Sequence, residues 1–79
     1  MKIGKVTGAV WATRKATGLS GQTFLVVQTT QGDVVAADFV GAGAGDEVLL
    51  VTGSVAGNYS MEAPVDAVVV AIVDPEGRR

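Results

Sequence analysis

The 79-residue chain contains no cysteine and no histidine. Without cysteine, no disulfide framework can compensate for a small core. A zinc site would have to be built from carboxylates alone, whereas protein zinc sites rely mainly on thiolate and imidazole ligands. The same absences exclude catalysis by a cysteine–histidine pair or by a serine–histidine–aspartate triad. We therefore expect no cofactor, no metal site and no catalytic residue.

Charge is also scarce. Only 18% of the residues are charged, and the formal net charge is −2. The six basic residues lie near the two ends of the chain, with none between positions 16 and 77. Because nucleic-acid binding depends on clustered lysine and arginine, we expect no nucleic-acid partner.

Long apolar runs are missing as well. The run Ala67–Val73 is far shorter than the roughly 20 residues of a membrane-spanning helix. The opening residues Met1–Lys5 contain no apolar signal core. We expect a cytoplasmic protein with no membrane partner.

Apolar side chains are nevertheless abundant, at 48% of the chain. We expect a single domain over residues 1–79. A domain this short buries only about 60% of the surface that its unfolded chain exposes. Below about 80 residues a core seldom supplies more than about 3–5 kcal/mol. Since disulfides are absent and no metal is expected, the composition predicts an obligate oligomer.

β-Branched residues separated by glycines are typical of short strands joined by tight turns. Five such strands favour a small closed barrel, because closure removes exposed strand edges. Gly4 and Gly8 are expected to let the first strand bend. The predicted strands are Lys2–Thr13, Thr23–Thr29, Val34–Ala37 with a continuation to Val40, Glu47–Thr52 and Val65–Asp74. Turns are predicted at Gln31–Asp33 and, as a short helical turn, at Ser54–Asn58.

The last predicted strand is apolar on both faces over Ala67–Val73. In an antiparallel barrel, such a strand needs a second covering layer besides the barrel core. A neighbouring subunit is the simplest supplier of that layer.

The glycine-rich run Gly41–Gly45 is superficially similar to a phosphate-binding loop. A phosphate-binding loop opens a helix, but here a strand follows. Asp46 and Glu47 would also repel phosphate. The pattern therefore indicates a loop that glycine-rich backbone permits, without nucleotide binding.

Most carboxylates fall at predicted turns, where aspartate is common. Acid–base catalysis needs two carboxyl groups in one pocket with separated pKa values, and no pair is indicated here. Asp38 and Asp66 differ from the rest because each interrupts or adjoins an apolar strand. We expect them to accept hydrogen bonds from loop amides as architectural residues. A small enzyme subunit remains an alternative.

A stand-alone barrel that binds single-stranded nucleic acid or oligosaccharide is a further alternative. Such barrels stack bases on exposed aromatic rings beside basic residues. Trp11 lies near Arg14 and Lys15, which fits that pattern weakly. A packing or subunit-interface role is the more common one for such a tryptophan.

Several blocks of the sequence resemble one known family. The run from Val35 to Asp46, VAADFVGAGAGD, resembles the V-A-x-D-x-V-G-A-G-x-G-E signature of bacterial microcompartment vertex proteins, the EutN/CcmL family. Leu49–Ser54 continues the match, and Pro64–Asp74 resembles the closing strand P-V-D-x-x-V-V-x-I-V-D. Met1–Gly8 and the block from Gly18 to Val27 also fit. Together these blocks span nearly the whole chain in the family's order.

The resemblance implies an all-β fold, a five-stranded closed barrel similar to the oligonucleotide-binding fold, assembled as a cyclic homopentamer. Such pentamers cap the five-fold vertices of polyhedral shells, where they adjoin hexameric and pseudohexameric shell proteins. The implied role is structural, with no small-molecule substrate.

Candidate contact residues follow from this resemblance. A pentagonal tile meets hexagonal tiles at a bend, where glycine allows backbones to approach closely. The rim candidates are Gly41, Ala42, Gly43, Gly45 and Asp46. The subunit-interface candidates are Trp11, Val65, Val68, Val70 and Ile72. The chain departs from the family pattern in having Asp46–Glu47 in place of Glu-Trp and in lacking an arginine at Val55–Gly57.

Overall fold

The computed structural model describes residues 1–10, 21–53 and 66–74, which contain five strands. The strands are β1 (Lys2–Val10), β2 (Phe24–Thr29), β3 (Gly32–Asp38), β4 (Glu47–Thr52) and β5 (Ala67–Ile72). Their positions confirm the five strands predicted from the alternation of β-branched residues and glycine turns. The predicted extension of the first strand to Thr13, the turn at Ser54–Asn58 and Val65 lie outside the described residues.

The five strands form a closed barrel in the order β1-β2-β3-β5-β4. All neighbours are antiparallel except β3 and β5, whose short parallel pairing joins Ala37 to Val68 and Asp38 to Val69. The prediction of a small OB-like barrel is confirmed.

Strand β1 serves both halves of the barrel. Its first residues, Lys2–Lys5, pair with β4, and Lys5–Val10 pair with β2. The register with β2 shifts between Val6 and Gly8, which marks a bulge at Thr7. A bulge bends a strand and increases its twist, so β1 can pass from one neighbour to the other.

The barrel interior is filled by aliphatic side chains from all five strands. Val6, Val27, Leu50 and Val69 are fully or almost fully buried in one cluster. Gly4 also points inward and leaves room for β2. A Cβ added at Gly4 would lie 2.5 Å from Cγ1 of Val27. The side chain of Val27 on β2 therefore fills the space that a side chain at Gly4 would occupy.

Strand β5 is covered on both faces over its first half, within its own chain. Val69 belongs to the barrel interior, while Val68 packs with Val51 and the half-buried Val70 in a second cluster. Val68 is fully buried in the single chain. The expectation that a neighbouring subunit covers the run Ala67–Val73 is therefore wrong for its first half, and Val68 has no surface left for a subunit interface. At the end of the strand Ile72 stays 47% exposed.

Two strand boundaries also differ from expectation. Gly32 pairs with Thr29 and Asp33 pairs with Gln28, so the predicted turn at Gln31–Asp33 is wrong. The hairpin turns instead at Thr30–Gln31, and Gly32 adopts φ 113°, a backbone angle that favours glycine. At the other end, β3 stops at Asp38 and does not continue to Val40.

The last strand is shorter than the predicted Val65–Asp74, since β5 runs from Ala67 to Ile72. Beyond it, the amide of Val73 still donates to the carbonyl of Glu47, with an N···O distance of 2.7 Å. This bond holds the end of β5 against the start of β4.

Candidate functional site: the glycine loop and two apolar faces

The loop between β3 and β4 begins at a turn made by the Asp38 side chain. Its Oδ1 accepts hydrogen bonds from the amides of Val40 at 3.0 Å and Gly41 at 3.2 Å. An aspartate that bonds backbone amides two and three residues ahead fixes a turn and ends the strand. The turn leaves Phe39 42% exposed and Val40 39% exposed. This is the geometry expected for Asp38; its architectural role stays a prediction until it is mutated.

The loop closes on a second aspartate, Asp46. Its Oδ2 accepts from the amide of Gly43 at 2.8 Å, and its own amide donates to the carbonyl of Gly43 at 3.0 Å. Two backbone bonds then attach the loop to β1: Gly45 donates to the carbonyl of Val6 at 2.8 Å, and Val6 donates to the carbonyl of Asp46 at 2.9 Å. The loop is thus held at both ends by specific hydrogen bonds.

The loop glycines fall into two kinds. Gly41 has φ 77° and Gly45 has φ 93°, so both need glycine for their backbone conformation. Gly43 has no such angle, and a Cβ added there meets no described atom within 4 Å. Only at Gly43 can a side chain be introduced without straining the loop.

The outer surface of β1, β2 and β3 carries a second feature. Gly8 pairs with Val26 and Val26 with Val35, while Val10 pairs with Phe24. Val35 is 54% exposed, the largest value among the large hydrophobic residues of the described strands. We call these five residues the Gly8 face. On the same outer surface, Lys5, Gln28 and Asp33 form a polar row across the three strands.

A different side of the barrel carries another apolar surface. Ile3 pairs with Leu49 and Leu49 with Ala71, across β1, β4 and β5. We call Ile3, Leu49 and Ala71 the Ile3 face.

Ile72 pairs with the buried Val48 and so lies on the opposite surface of β5 from Ala71. At the end of the strand it is 47% exposed and lines a cleft of about 470 Å³ together with Lys5 and Glu47.

The sequence-derived candidates are distributed unevenly over these features. The rim candidates Gly41 to Asp46 form one loop, and Ile72 is exposed at the cleft beside Asp46 and Glu47. Asp66 is exposed, and its carbonyl accepts from the amide of Gly53 at 2.8 Å. Trp11 and Val65 lie outside the described residues.

The Gly8 face was missed by the sequence analysis. The alternation along β3 indicates part of this face: Val35 lies two residues after the polar Asp33, on the same side of the strand, and therefore points away from the core. Gly8 carried no comparable signal in the sequence, since strand glycines look alike whatever surrounds them.

The described residues contain neither a helix long and apolar enough to cross a membrane nor a group of acidic residues suited to hold a metal ion.

Comparison with known proteins shows what kind of barrel this is. Residues 1–74 match the family described as "Ethanolamine utilisation protein EutN/carboxysome". The chain belongs to the EutN/CcmL family. The carboxysome shell vertex protein CcmL of Synechococcus elongatus is 46% identical, over 94% of this chain and 84% of the relative. The microcompartment shell vertex protein PduN of Salmonella typhimurium is 41% identical, over 94% and 96%.

Solved structures in the EutN/CcmL family have the same fold. The pentameric shell protein MSM0273 from the RMM microcompartment superposes with a TM-score of 0.87 at 34% identity, covering 100% of this chain and 96% of that one. CcmL from Nostoc sp. PCC 7120 gives 0.86 at 42% identity, covering 94% and 89%. These findings confirm the predicted family, the microcompartment shell vertex function and the location in the shell.

Proposed function

We propose that this chain forms a homopentamer that caps the five-fold vertices of a microcompartment shell. The observation that carries the proposal is the match of the entire chain to a pentameric shell protein, with a TM-score of 0.87. The single chain also leaves apolar side chains exposed on two sides, including Val35 and Ile72. Burying such surface against further copies is how a small domain without disulfides gains stability.

The glycine loop is proposed as the contact with neighbouring hexameric and pseudohexameric tiles. Gly41, Gly43 and Gly45 are exposed, and the residues between them are alanines. The loop therefore offers its backbone with little side chain in the way. Hydrogen bonds of Asp38 and Asp46 hold it in one conformation, so docking would cost little ordering entropy.

The proposed role is structural and not enzymatic. One carboxylate oxygen of Asp38 and one of Asp46 accept hydrogen bonds from backbone amides. Both groups are thus engaged in holding the loop, which supports an architectural use of these acids.

Ring formation is tested by the solution mass. Light scattering or native mass spectrometry should give about 40 kDa, five times the 8.0 kDa of one chain. A stable monomer or dimer at micromolar concentration would contradict the proposal.

The tile contact is tested by Gly43→Glu, which adds bulk and charge to the loop without backbone strain. The purified variant should remain a ring, but shells co-expressed with it should have uncapped corners. Thr30→Glu is a matched control, because Thr30 is exposed in the turn between β2 and β3. Wild-type capping by the Gly43→Glu ring would show that the loop does not mediate the contact.

A further inference from the structure

The cleft of about 470 Å³ lies between the start of β4, the end of β5 and the glycine loop. Its lining includes three carboxylates and one ammonium group, a net charge of −2, from Asp46, Glu47, Asp74 and Lys5. Ile72 adds an apolar surface to the same cleft and is 47% exposed. An apolar surface bordered by negative charge suits a cationic side chain with a long aliphatic stem.

Hydrogen bonds hold the backbone around these acids in place. Oδ2 of Asp46 accepts from the amide of Gly43 at 2.8 Å. Glu47 pairs with Lys5 across β4 and β1, and its carbonyl accepts from the amide of Val73 at 2.7 Å. Because the walls of the cleft are fixed in this way, an occupant would cost little ordering of the cleft itself.

The chain supplies a matching occupant directly after the cleft. Residues 75–79 follow Asp74, lie outside the described residues and have the sequence Pro-Glu-Gly-Arg-Arg. The run Asp74–Gly77 has aspartate, proline and glycine at the first, second and fourth positions, which is typical of a type I β-turn. Such a turn brings its first and fourth residues within about 7 Å of each other, so it would direct the chain back towards the cleft.

Arg78 and Arg79 are the only basic residues after position 15. Their two positive charges equal the net negative charge of the cleft. A guanidinium group binds carboxylates through paired hydrogen bonds, and its aliphatic stem can cover an apolar surface such as Ile72. The match to the EutN/CcmL family covers residues 1–74, so this segment lies beyond the shared barrel.

We propose that residues 75–79 fold back over the cleft of their own chain, with the guanidinium groups of Arg78 and Arg79 against its carboxylates. The segment then joins the end of β5 to the start of β4 and covers Ile72. It also brings two positive charges beside the glycine loop. This contact lies within one chain and does not depend on the proposed pentamer.

A reporter thiol in the cleft tests the proposal. Because the chain contains no cysteine, Val73→Cys introduces a single thiol there and leaves every charge of the cleft in place. A maleimide should modify this thiol at least about fivefold faster when Arg78 and Arg79 are both replaced by serine, because the segment then leaves the cleft. With the wild-type segment, about 1 M salt should raise the rate towards that of the serine variant.

Ala44→Cys is the matched control, because position 44 is exposed in the glycine loop but does not line the cleft. Its thiol should react at the same rate with either segment. Equal rates for the two segments at position 73 would overturn the proposal. An equal acceleration at position 44 would also overturn it, because the serines would then act on the whole protein.

Charge exchange provides a second measurement with the thiol at position 73. Replacing both arginines by glutamate should expose this thiol. Adding Glu47→Lys to that variant should slow the reaction again by at least about twofold, since the charges are then opposite once more. Asp33→Lys is the control, because Asp33 is exposed on β3 and does not line the cleft. No slowing by Glu47→Lys, or the same slowing by Asp33→Lys, would contradict the proposal.

Mixed assemblies identify the chain that supplies the segment. Val73→Cys chains with the serine segment are combined with an excess of chains that carry the wild-type segment. The thiol should stay as reactive as in the serine variant alone. Protection by the wild-type chains would show that the segment crosses to a neighbour and would overturn the proposal. If the wild-type chain is not a pentamer, the proposed function fails, while the thiol rates within single chains still decide this contact.

Discussion

Replacement of Gly4 by alanine should destabilise the barrel through a contact that only the folded structure contains. The added methyl group would lie 2.5 Å from Cγ1 of Val27, 2.9 Å from the carbonyl oxygen of Gln28 and 3.2 Å from Cγ2 of Thr29. Cβ atoms essentially never approach other atoms closer than 3.0 Å, so β2 must shift. Val27 is fully buried and Gln28 pairs with both neighbouring strands, so neither can move freely.

The magnitude follows from the cost of overpacking. Extra methyl groups in a packed core typically cost about 1–3 kcal/mol. Alanine also reduces the conformational entropy of the unfolded chain, which stabilises the folded state by about 0.4–1 kcal/mol. We expect a net loss of about 1–2 kcal/mol for Gly4→Ala. For a domain of this size, each kcal/mol corresponds to about 4–8 °C in Tm.

The assay is thermal and urea unfolding at one fixed protein concentration, because the stability of an oligomer depends on concentration. Gly43→Ala is the control: it has the same chemical change and the same unfolded-state effect, but no described atom lies within 4 Å of the new Cβ. It should match or exceed wild-type stability. Val27→Ala combined with Gly4→Ala should cost less than the sum of the two single changes, because the closest contact disappears. A Gly4→Ala protein as stable as Gly43→Ala would refute the reasoning.

Three other changes have defined outcomes. Gly45→Ala should lower the free energy of unfolding in urea by about 1–2 kcal/mol relative to Gly43→Ala, because Gly45 adopts φ 93°, a conformation unfavourable for a residue with a Cβ. Equal stability of the two variants would contradict this. Asp38→Ala removes the acceptor of two hydrogen bonds and should lower the free energy of unfolding by about 1–3 kcal/mol in the same assay. Asp38→Asn keeps an acceptor oxygen and should lower it clearly less. The reverse order would exclude the Oδ1 bonds as the cause. Leu50→Ala should cost about 2–5 kcal/mol because Leu50 is fully buried in the barrel interior, and a cost below about 1 kcal/mol would mean that the core collapses around the smaller residue.

The sequence by itself determined the strands, their order along the chain and the family. Short runs of β-branched residues favour strands by local sterics, and glycine marks the turns between them. Family membership could be read from the sequence because blocks such as Val35–Asp46 and Pro64–Asp74 occur in order. Asp38 stood out because it interrupts an apolar run, and the structure places its side chain on two loop amides.

Only the tertiary structure decided which apolar residues are buried within the chain and which stay exposed. Val68 reads in sequence like Ile72, yet Val68 is buried against Val51 whereas Ile72 is exposed, because the pairing of β5 with β3 and β4 joins residues far apart in the chain. The same holds for the two glycines of β1. A Cβ at Gly4 would crowd Val27 on the adjacent strand β2, whereas a Cβ at Gly8 would meet no described atom within 4 Å. Since a glycine has no side chain, its role depends entirely on which atoms surround it, and those atoms are brought there by the fold.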